Sequence, residues 1–232
     1  MRHVVTCLLA AACATALAAC QSTLTTSSTN APPGPDKVTA VSPFVASYKG
    51  TPFKEPQVIP GRLMFAYFDN GPEGVAHHNY ETKNEGSGAL NNGPAEKDHF
   101  RQNDGLSTSY TKGAFDHWKK DGKNVPLDVY YVGWTFKGQW INYTVDVKTA
   151  GTYTMTVMIT ANNAPGGAIS LDVDGVDKTG VLKIPSTGYD HNWEQLDNLA
   201  EITLPAGRHV LTFHVVDQGR MNLGHIDFAL KQ

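Results

Sequence analysis

From residue 140 onward, apolar and polar side chains alternate with a period of two, which confines this part of the chain to extended strands. Ile141, Tyr143, Val145 and Val147 alternate with Asn142, Thr144 and Asp146. Tyr153, Met155, Val157 and Ile159 do the same against Thr152, Thr154 and Thr156. The pattern returns at Ile169, Leu171 and Val173, at Leu211, Phe213 and Val215, and at Ile226, Phe228 and Leu230. Successive side chains on a strand point to opposite faces, so each run predicts a strand with one face in a core. Turn signals separate the runs: Ala150-Gly151, Pro165-Gly166-Gly167, Asp174-Gly175 and Pro205-Ala206-Gly207. Short alternating strands at this spacing predict an all-β fold, an antiparallel sandwich or barrel. No segment carries helical periodicity over three turns. Residues 83–99 and 107–128 are polar and rich in Gly, Lys and Asn, and read as long loops of a size more often functional than idle.

The first 49 residues obey a different rule. Arg2 and His3 precede an apolar run from Val4 to Ala19, shorter than the about 20 residues a membrane span needs. Its length and its small residues at the end are those of a cleaved export signal. Leu17-Ala18-Ala19-Cys20 resembles the lipobox of bacterial lipoproteins. That resemblance implies a lipid on Cys20 and a mature chain held in the bacterial cell envelope. Gln21 in place of aspartate points within it to the outer membrane. Cys7 and Cys13 leave with residues 1–19, so the mature chain keeps one cysteine and has no internal disulfide. It carries 18 basic and 22 acidic residues, a net charge of −4. This mild acidity argues against nucleic acid as a partner, and makes the lipid the only tie to a membrane. Residues 20–49, with Thr25-Thr26-Ser27-Ser28-Thr29 and Pro32-Pro33-Gly34-Pro35, read as a disordered spacer that cannot bury enough apolar area to fold. Residues 50–232 suit one folded domain.

Within that domain, Tyr131-Val132-Gly133-Trp134-Thr135 and Gly138-Gln139-Trp140-Ile141-Asn142-Tyr143-Thr144-Val145 resemble the central motif of family 6 carbohydrate-binding modules and their family 35 relatives. Ala150-Gly151-Thr152-Tyr153-Thr154, Leu171-Asp172-Val173-Asp174-Gly175, Leu204-Pro205-Ala206-Gly207-Arg208-His209 and Asn222-Leu223-Gly224-His225-Ile226-Asp227-Phe228 follow in the family's order. Ile59-Pro60-Gly61-Arg62 and Glu73-Gly74-Val75-Ala76 fit upstream. The resemblance implies an antiparallel jelly-roll β-sandwich that binds poly- or oligosaccharide without cleaving it. Sugar rings stack their C–H faces on aromatic rings and bond their hydroxyls to amides and carboxylates. In the family's register those places fall on Phe100 followed by Arg101, on Tyr189 or its neighbour Asp190, and on Asn222. Trp134 and Trp140 lie in the strand region and read as core. Trp118, among Lys112, Lys119, Lys120 and Lys123, is either a further wall of the site, favouring acidic sugars, or a cover for the sandwich.

The family's structural calcium uses a Glu-Ala-Glu stretch, and here Met64 and Ala66 stand where the glutamates belong. Calcium takes several oxygen ligands, and neither residue supplies a side-chain oxygen. Asp227 would be the remnant of that site, and the expectation is a calcium lost or much weakened, in a corner closed by apolar packing. No cofactor is otherwise implied. Asp172-Val173-Asp174-Gly175-Val176-Asp177 reads as a hairpin turn rather than a calcium loop. His77, His78, His99 and His117 lack the spacing of a zinc site, and Glu85-Gly86-Ser87-Gly88 is no nucleophile elbow. Three functions stay open: a non-catalytic carbohydrate-binding lipoprotein, a glycoside hydrolase or lyase using a pair such as Glu73 and Asp104, and a structural lipoprotein with a decayed sugar site.

Overall fold

The computed structural model describes residues 41–232; Cys20, the export signal and residues 20–40 of the expected spacer lie outside them. Of that spacer, residues 43–47 form one helical turn and a half, α1 (Pro43–Ser47), capped by Ser42, whose Oγ accepts from Val45 N at 3.2 Å. Fourteen strands follow: β1 (Gln57–Ile59), β2 (Gly61–Met64), β3 (His77–His78), β4 (Thr108–Tyr110), β5 (His117–Trp118), β6 (Tyr130–Val132) and β7 (Trp140–Val147). Then come β8 (Gly151–Ala161), β9 (Gly166–Val173), β10 (Val176–Asp177), β11 (Leu182–Pro185), β12 (Asn192–Leu204), β13 (Gly207–Asp217) and β14 (Met221–Leu230).

The strands make an all-β sandwich of two sheets. One runs β1-β7-β13-β9-β10, with β3 also on β7 and β11 on β9. The other runs β4-β6-β14-β8-β12-β5, with β2 also on β14. Pairing is antiparallel except for β1 on β7 and β5 on β12. The alternation places the core as expected: Ile141, Tyr143, Val145 and Val147 of β7, Met155, Val157 and Ile159 of β8, Phe213 of β13 and Phe65 are buried in one apolar cluster. Each fully buried side chain of this size contributes roughly 1.5–3 kcal/mol. Leu230, the last member of its run, is exposed at the end of β14.

The alternation also has a consequence on the outer face of β7. Asn142 and Thr144 point away from the core yet are buried, and the segment that runs along the edge of β7 before β3 bonds to them, with Asp69 N donating to Asn142 O at 3.0 Å and Asn142 N to Ala76 O at 2.9 Å. Asp69 accepts from Thr144 N at 2.8 Å and Thr144 Oγ1 at 2.7 Å, and Asn142 Nδ2 donates to Val75 O at 2.9 Å. Phe65 and Phe68 of the stretch expected to close by apolar packing are fully buried. The turn at Asp174-Gly175 joins β9 to β10 with both residues left-handed, at φ 50° and 76°, as a two-residue hairpin requires. The stretch 107–128, expected as a long loop, contains two strands instead. β4 pairs with β6, and β5 lies parallel on β12 far along the chain.

Candidate functional site

A cleft opens where the β6–β7, β11–β12 and β13–β14 connections meet. Tyr131, Trp134, Asp190, His191, Arg220 and Asn222 line a cavity of about 150 Å³. Trp134 follows β6 with φ 51°, a left-handed backbone that a bulky side chain rarely adopts and that recurs at functional sites. Its half-buried indole forms one wall. Two glycines let the connections close on one another. A Cβ on Gly219 would sit 1.9 Å from Thr135 O, and one on Gly133 would sit 2.7 Å from Asn222 Oδ1. Thr135 Oγ1 donates to Met221 O at 3.1 Å, and Arg220 N donates to Thr135 O at 2.7 Å, so the two turns form one unit.

The opposite wall is pinned by side chains. Asn222 Nδ2 donates to Asp190 O at 2.6 Å, which leaves its Oδ1 as acceptor. Asn162 Nδ2 donates to Asp190 Oδ2 at 3.0 Å. Behind His191 lies Asp116, 1 % exposed, which accepts from His191 Nδ1 at 2.9 Å, Trp193 Nε1 at 2.6 Å and Lys112 N at 2.7 Å. Burial pushes the Asp116 carboxyl up, but its bonds to His191 and Trp193 outweigh that and hold it below the ordinary range. Because Nδ1–H is committed to Asp116, the other ring nitrogen of His191 is left for a ligand. Tyr189, 48 % exposed, stands beside His191 with ring centroids 5.4 Å apart.

Of the residues anticipated for sugar, Asp190 and Asn222 meet in this cleft, and Tyr189 stands at its edge. Phe100 and Arg101 do not join them. Phe100 stacks on Tyr130 at 3.8 Å and meets Phe53 edge-on at 5.6 Å. Tyr130 and Tyr131 are neighbours on β6 and face opposite sides of the sheet, so Phe100 lies on the side away from the cleft. Arg101 has a side chain 3 % exposed, ion-pairs with Asp104, and lies on the Phe68 ring at 3.4 Å. Its guanidinium donates to Phe68 O, to Asp69 O at 3.3 Å and to Asn70 Oδ1 at 3.3 Å, so it ties loops together. Trp118, half-buried, packs on the cluster of Val125, Tyr131, Met158 and Trp193. Phe115 is exposed beside His191. The lysines nearby turn elsewhere: Lys112 Nζ donates to Asn91 Oδ1 at 2.8 Å and Lys119 Nζ to Ser186 O at 3.1 Å.

The expectation that Trp134 and Trp140 are core residues is corrected. Both are half-buried, and each lines a hollow. The sequence signal for Trp134 was the end of the alternation at Gly133, where β6 stops. Trp140 faces a hollow of about 390 Å³ between α1 and the outer face of β7 and β13, with Tyr48, Asn142 and His214. A third cleft, about 340 Å³, brings Glu73 and Asp104 together with His77, Asn79 and Arg101. There Glu73 Oε2 accepts from Asn79 N at 3.0 Å and its other oxygen bonds His78, while Asp104 is held by Arg101.

Asp227 does not fit a calcium ligand. Arg62 donates to both its oxygens, at 2.7 and 2.8 Å, and the Arg62 bond holds its carboxyl below the ordinary range. Ala66 is fully buried and Met64 half-buried, and neither brings a side-chain oxygen. The four histidines considered for zinc do not converge: His77 and His78 share Glu73, His99 pairs with Gln102 and His117 with Phe115 O. Among the described residues no three metal-ligating side chains are grouped.

The pattern of the family "Carbohydrate binding module (family 6)" matches residues 118–230. Among solved structures, a family 6 module of Cellvibrio mixtus lichenase 5A in complex with cellotriose is 22% identical, with 55% of this chain and 88% of that one covered and a TM-score of 0.42. A β-1,3-glucan binding family 6 module from Bacillus halodurans is 14% identical over 75% of this chain and 98% of that one, with a TM-score of 0.46. A family 6 module from Clostridium stercorarium in complex with cellobiose is 12% identical over 76% and 98%, also at 0.46. No curated protein matches the chain.

Proposed function

We propose that this chain, whose residues 118–230 match the family 6 carbohydrate-binding modules, captures poly- or oligosaccharide without cleaving it, at the cleft of Trp134, Asp190 and Asn222. The family is one of binding modules, and the match supports carbohydrate binding. One observation carries the assignment to this cleft: a left-handed Trp134 holds an indole face opposite a pinned carboxylate and amide. An aromatic face takes the C–H side of a sugar ring while Asp190 and Asn222 accept from its hydroxyls. Tyr189 extends the apolar surface at the rim. The test is a glycan panel probed with the full chain. Binding with no new reducing ends is expected; release of reducing ends would make the protein a hydrolase.

That second reading has one observation in its favour, the shared cleft of Glu73 and Asp104. Hydrolysis uses two carboxyl groups about 5–9.5 Å apart, one of them as acid. Here each already holds a basic partner, His78 and Arg101, which suits a structural role better.

The lipobox-like Leu17-Ala18-Ala19-Cys20 supports a lipid anchor on Cys20 in the bacterial envelope, at the outer membrane given Gln21. Captured sugar would then be held at the membrane surface. Loss of membrane fractionation in a Cys20→Ala variant is expected, and unchanged fractionation would remove the anchor. We also infer that the corner at Asp227 holds no structural calcium. Its melting temperature should be the same in millimolar calcium and in EDTA, and a large rise with calcium would overturn this.

A further inference from the structure

Four arginines lie among the described residues, and three are each held by an aspartate. Arg62 forks onto Asp227 at 2.7 and 2.8 Å, and Arg208 onto Asp146 at 2.9 and 3.2 Å. Arg101 pairs with Asp104. The fourth, Arg220, lines the cleft, and among the described residues no hydrogen bond or ion pair reaches its guanidinium. Its backbone is nonetheless fixed. The residue is left-handed at φ 57°, its N–H donates to Thr135 O at 2.7 Å, and its carbonyl accepts from Asn162 N at 3.2 Å. The carboxylate in the same cleft, Asp190, is turned to Asn162 Nδ2 at 3.0 Å and makes no ion pair with Arg220.

The cleft's hydrogen-bonding capacity is therefore lopsided. Asn222 has spent its amide N–H on Asp190 O and offers Oδ1, and His191 has spent Nδ1–H on Asp116. Asp190 offers an acceptor as well. These groups suit donating hydroxyls. Arg220 alone supplies a charged donor, and a guanidinium presents a planar fork matched to a pair of oxyanion oxygens. The lysines of residues 112–123 do not share this task, since Lys112, Lys119 and Lys123 are engaged with Asn91, Glu194 and Asp121 and Lys120 lies over Trp118.

We propose, resting on the carbohydrate reading of this cleft, that the sugar unit seated on Trp134 carries an oxyanion, the carboxylate of a uronic acid or a sulfate ester, which Arg220 reads through its fork. Asp190 stays on the hydroxyl side of the ring, tied to Asn162. A hydrogen bond to a charged group contributes roughly 1.5–3 kcal/mol, which corresponds to about ten-fold or more in affinity.

The test titrates the full chain with three probes: an oligogalacturonate, a sulfated galactan oligosaccharide and neutral cellotriose. One acidic probe should bind about ten-fold or more tightly than cellotriose, and added salt should narrow the gap. Which acidic probe wins identifies carboxylate or sulfate as the group read. Arg220→Gln should bring the acidic-to-neutral ratio close to one, and Arg220→Lys, which keeps the charge and loses the fork, should restore part of it. Equal binding of neutral and acidic probes, or an unchanged ratio in Arg220→Gln, overturns the inference. If neutral binding in that case still depends on Trp134, the carbohydrate reading stands without it. Failure of every sugar to bind removes the reading and the inference together.

Discussion

At the scale of single residues, Asp116 holds the wall of the cleft in place. Its carboxylate is buried and accepts from Lys112 N, His191 Nδ1 and Trp193 Nε1, so it joins the segment before β5 to the start of β12. Truncation would leave three donors without an acceptor, and each buried unsatisfied group costs about 1–3 kcal/mol. Asp116→Ala is expected to lower unfolding stability by roughly 3 kcal/mol or more, read as a shift in denaturant midpoint. A shift below about 0.5 kcal/mol, the range of ordinary surface changes, would show that the network is idle. Residue identity alone hid part of this site. Asp190 and Asn222 were legible because they stand at expected places in a known order of motifs. Arg220 was not, since whether an arginine is paired depends on three-dimensional neighbours, and its three counterparts are all paired. Trp134 was hidden for another reason: a tryptophan next to a strand reads as core unless the backbone turn that swings it outward is visible.

At the scale of elements, the cleft exists because two connections touch. The β13–β14 turn, with Gln218 and Arg220 left-handed at φ 46° and 57°, lies directly on Thr135 of the β6–β7 connection. Gly219 permits the contact, since a Cβ there would overlap Thr135 O at 1.9 Å. Overpacking of this kind costs about 1–3 kcal/mol. Gly219→Ala is expected to destabilise the fold by that amount and to weaken sugar binding, because Arg220 and Asn222 move with the turn. Wild-type stability and binding in this variant would mean that the two connections are not coupled. The long strands β7, β8, β13 and β14 were legible from their alternation, which is local. β4 and β5 were not, because their partners β6 and β12 are distant in sequence and each strand is too short to show a period. The position of Phe100 failed at this scale too. The order of motifs gave its place along the chain, but the side of β6 it takes is set by which of Tyr130 and Tyr131 faces the cleft.

At the scale of the whole molecule, burial decides how the sandwich responds to acid. His225 on β14 is buried, and burial together with the Arg62 charge holds it down to about 4, below its ordinary 6.5. His77 is lowered by burial in the same sense. His225 is therefore neutral when folded and charged when unfolded in the pH range between these values, and His77 acts in the same direction. The unfolded chain then binds more protons, so stability falls as pH drops from about 6.5 towards 4. His225→Gln should lose less stability than wild type between pH 7 and about 5, read as melting temperatures; equal losses would place the titrating groups elsewhere. The same sandwich joins the two halves of the functional account, since its sheets fix the ends from which the three connections meet. The most direct measurement of that account is calorimetric titration of wild type and Trp134→Ala with the tightest-binding sugar of the panel. An aromatic at the centre of a binding surface costs about 2 kcal/mol or more when truncated, so binding about ten-fold or more weaker in the variant is predicted. Unchanged affinity in Trp134→Ala would contradict the cleft as the carbohydrate site.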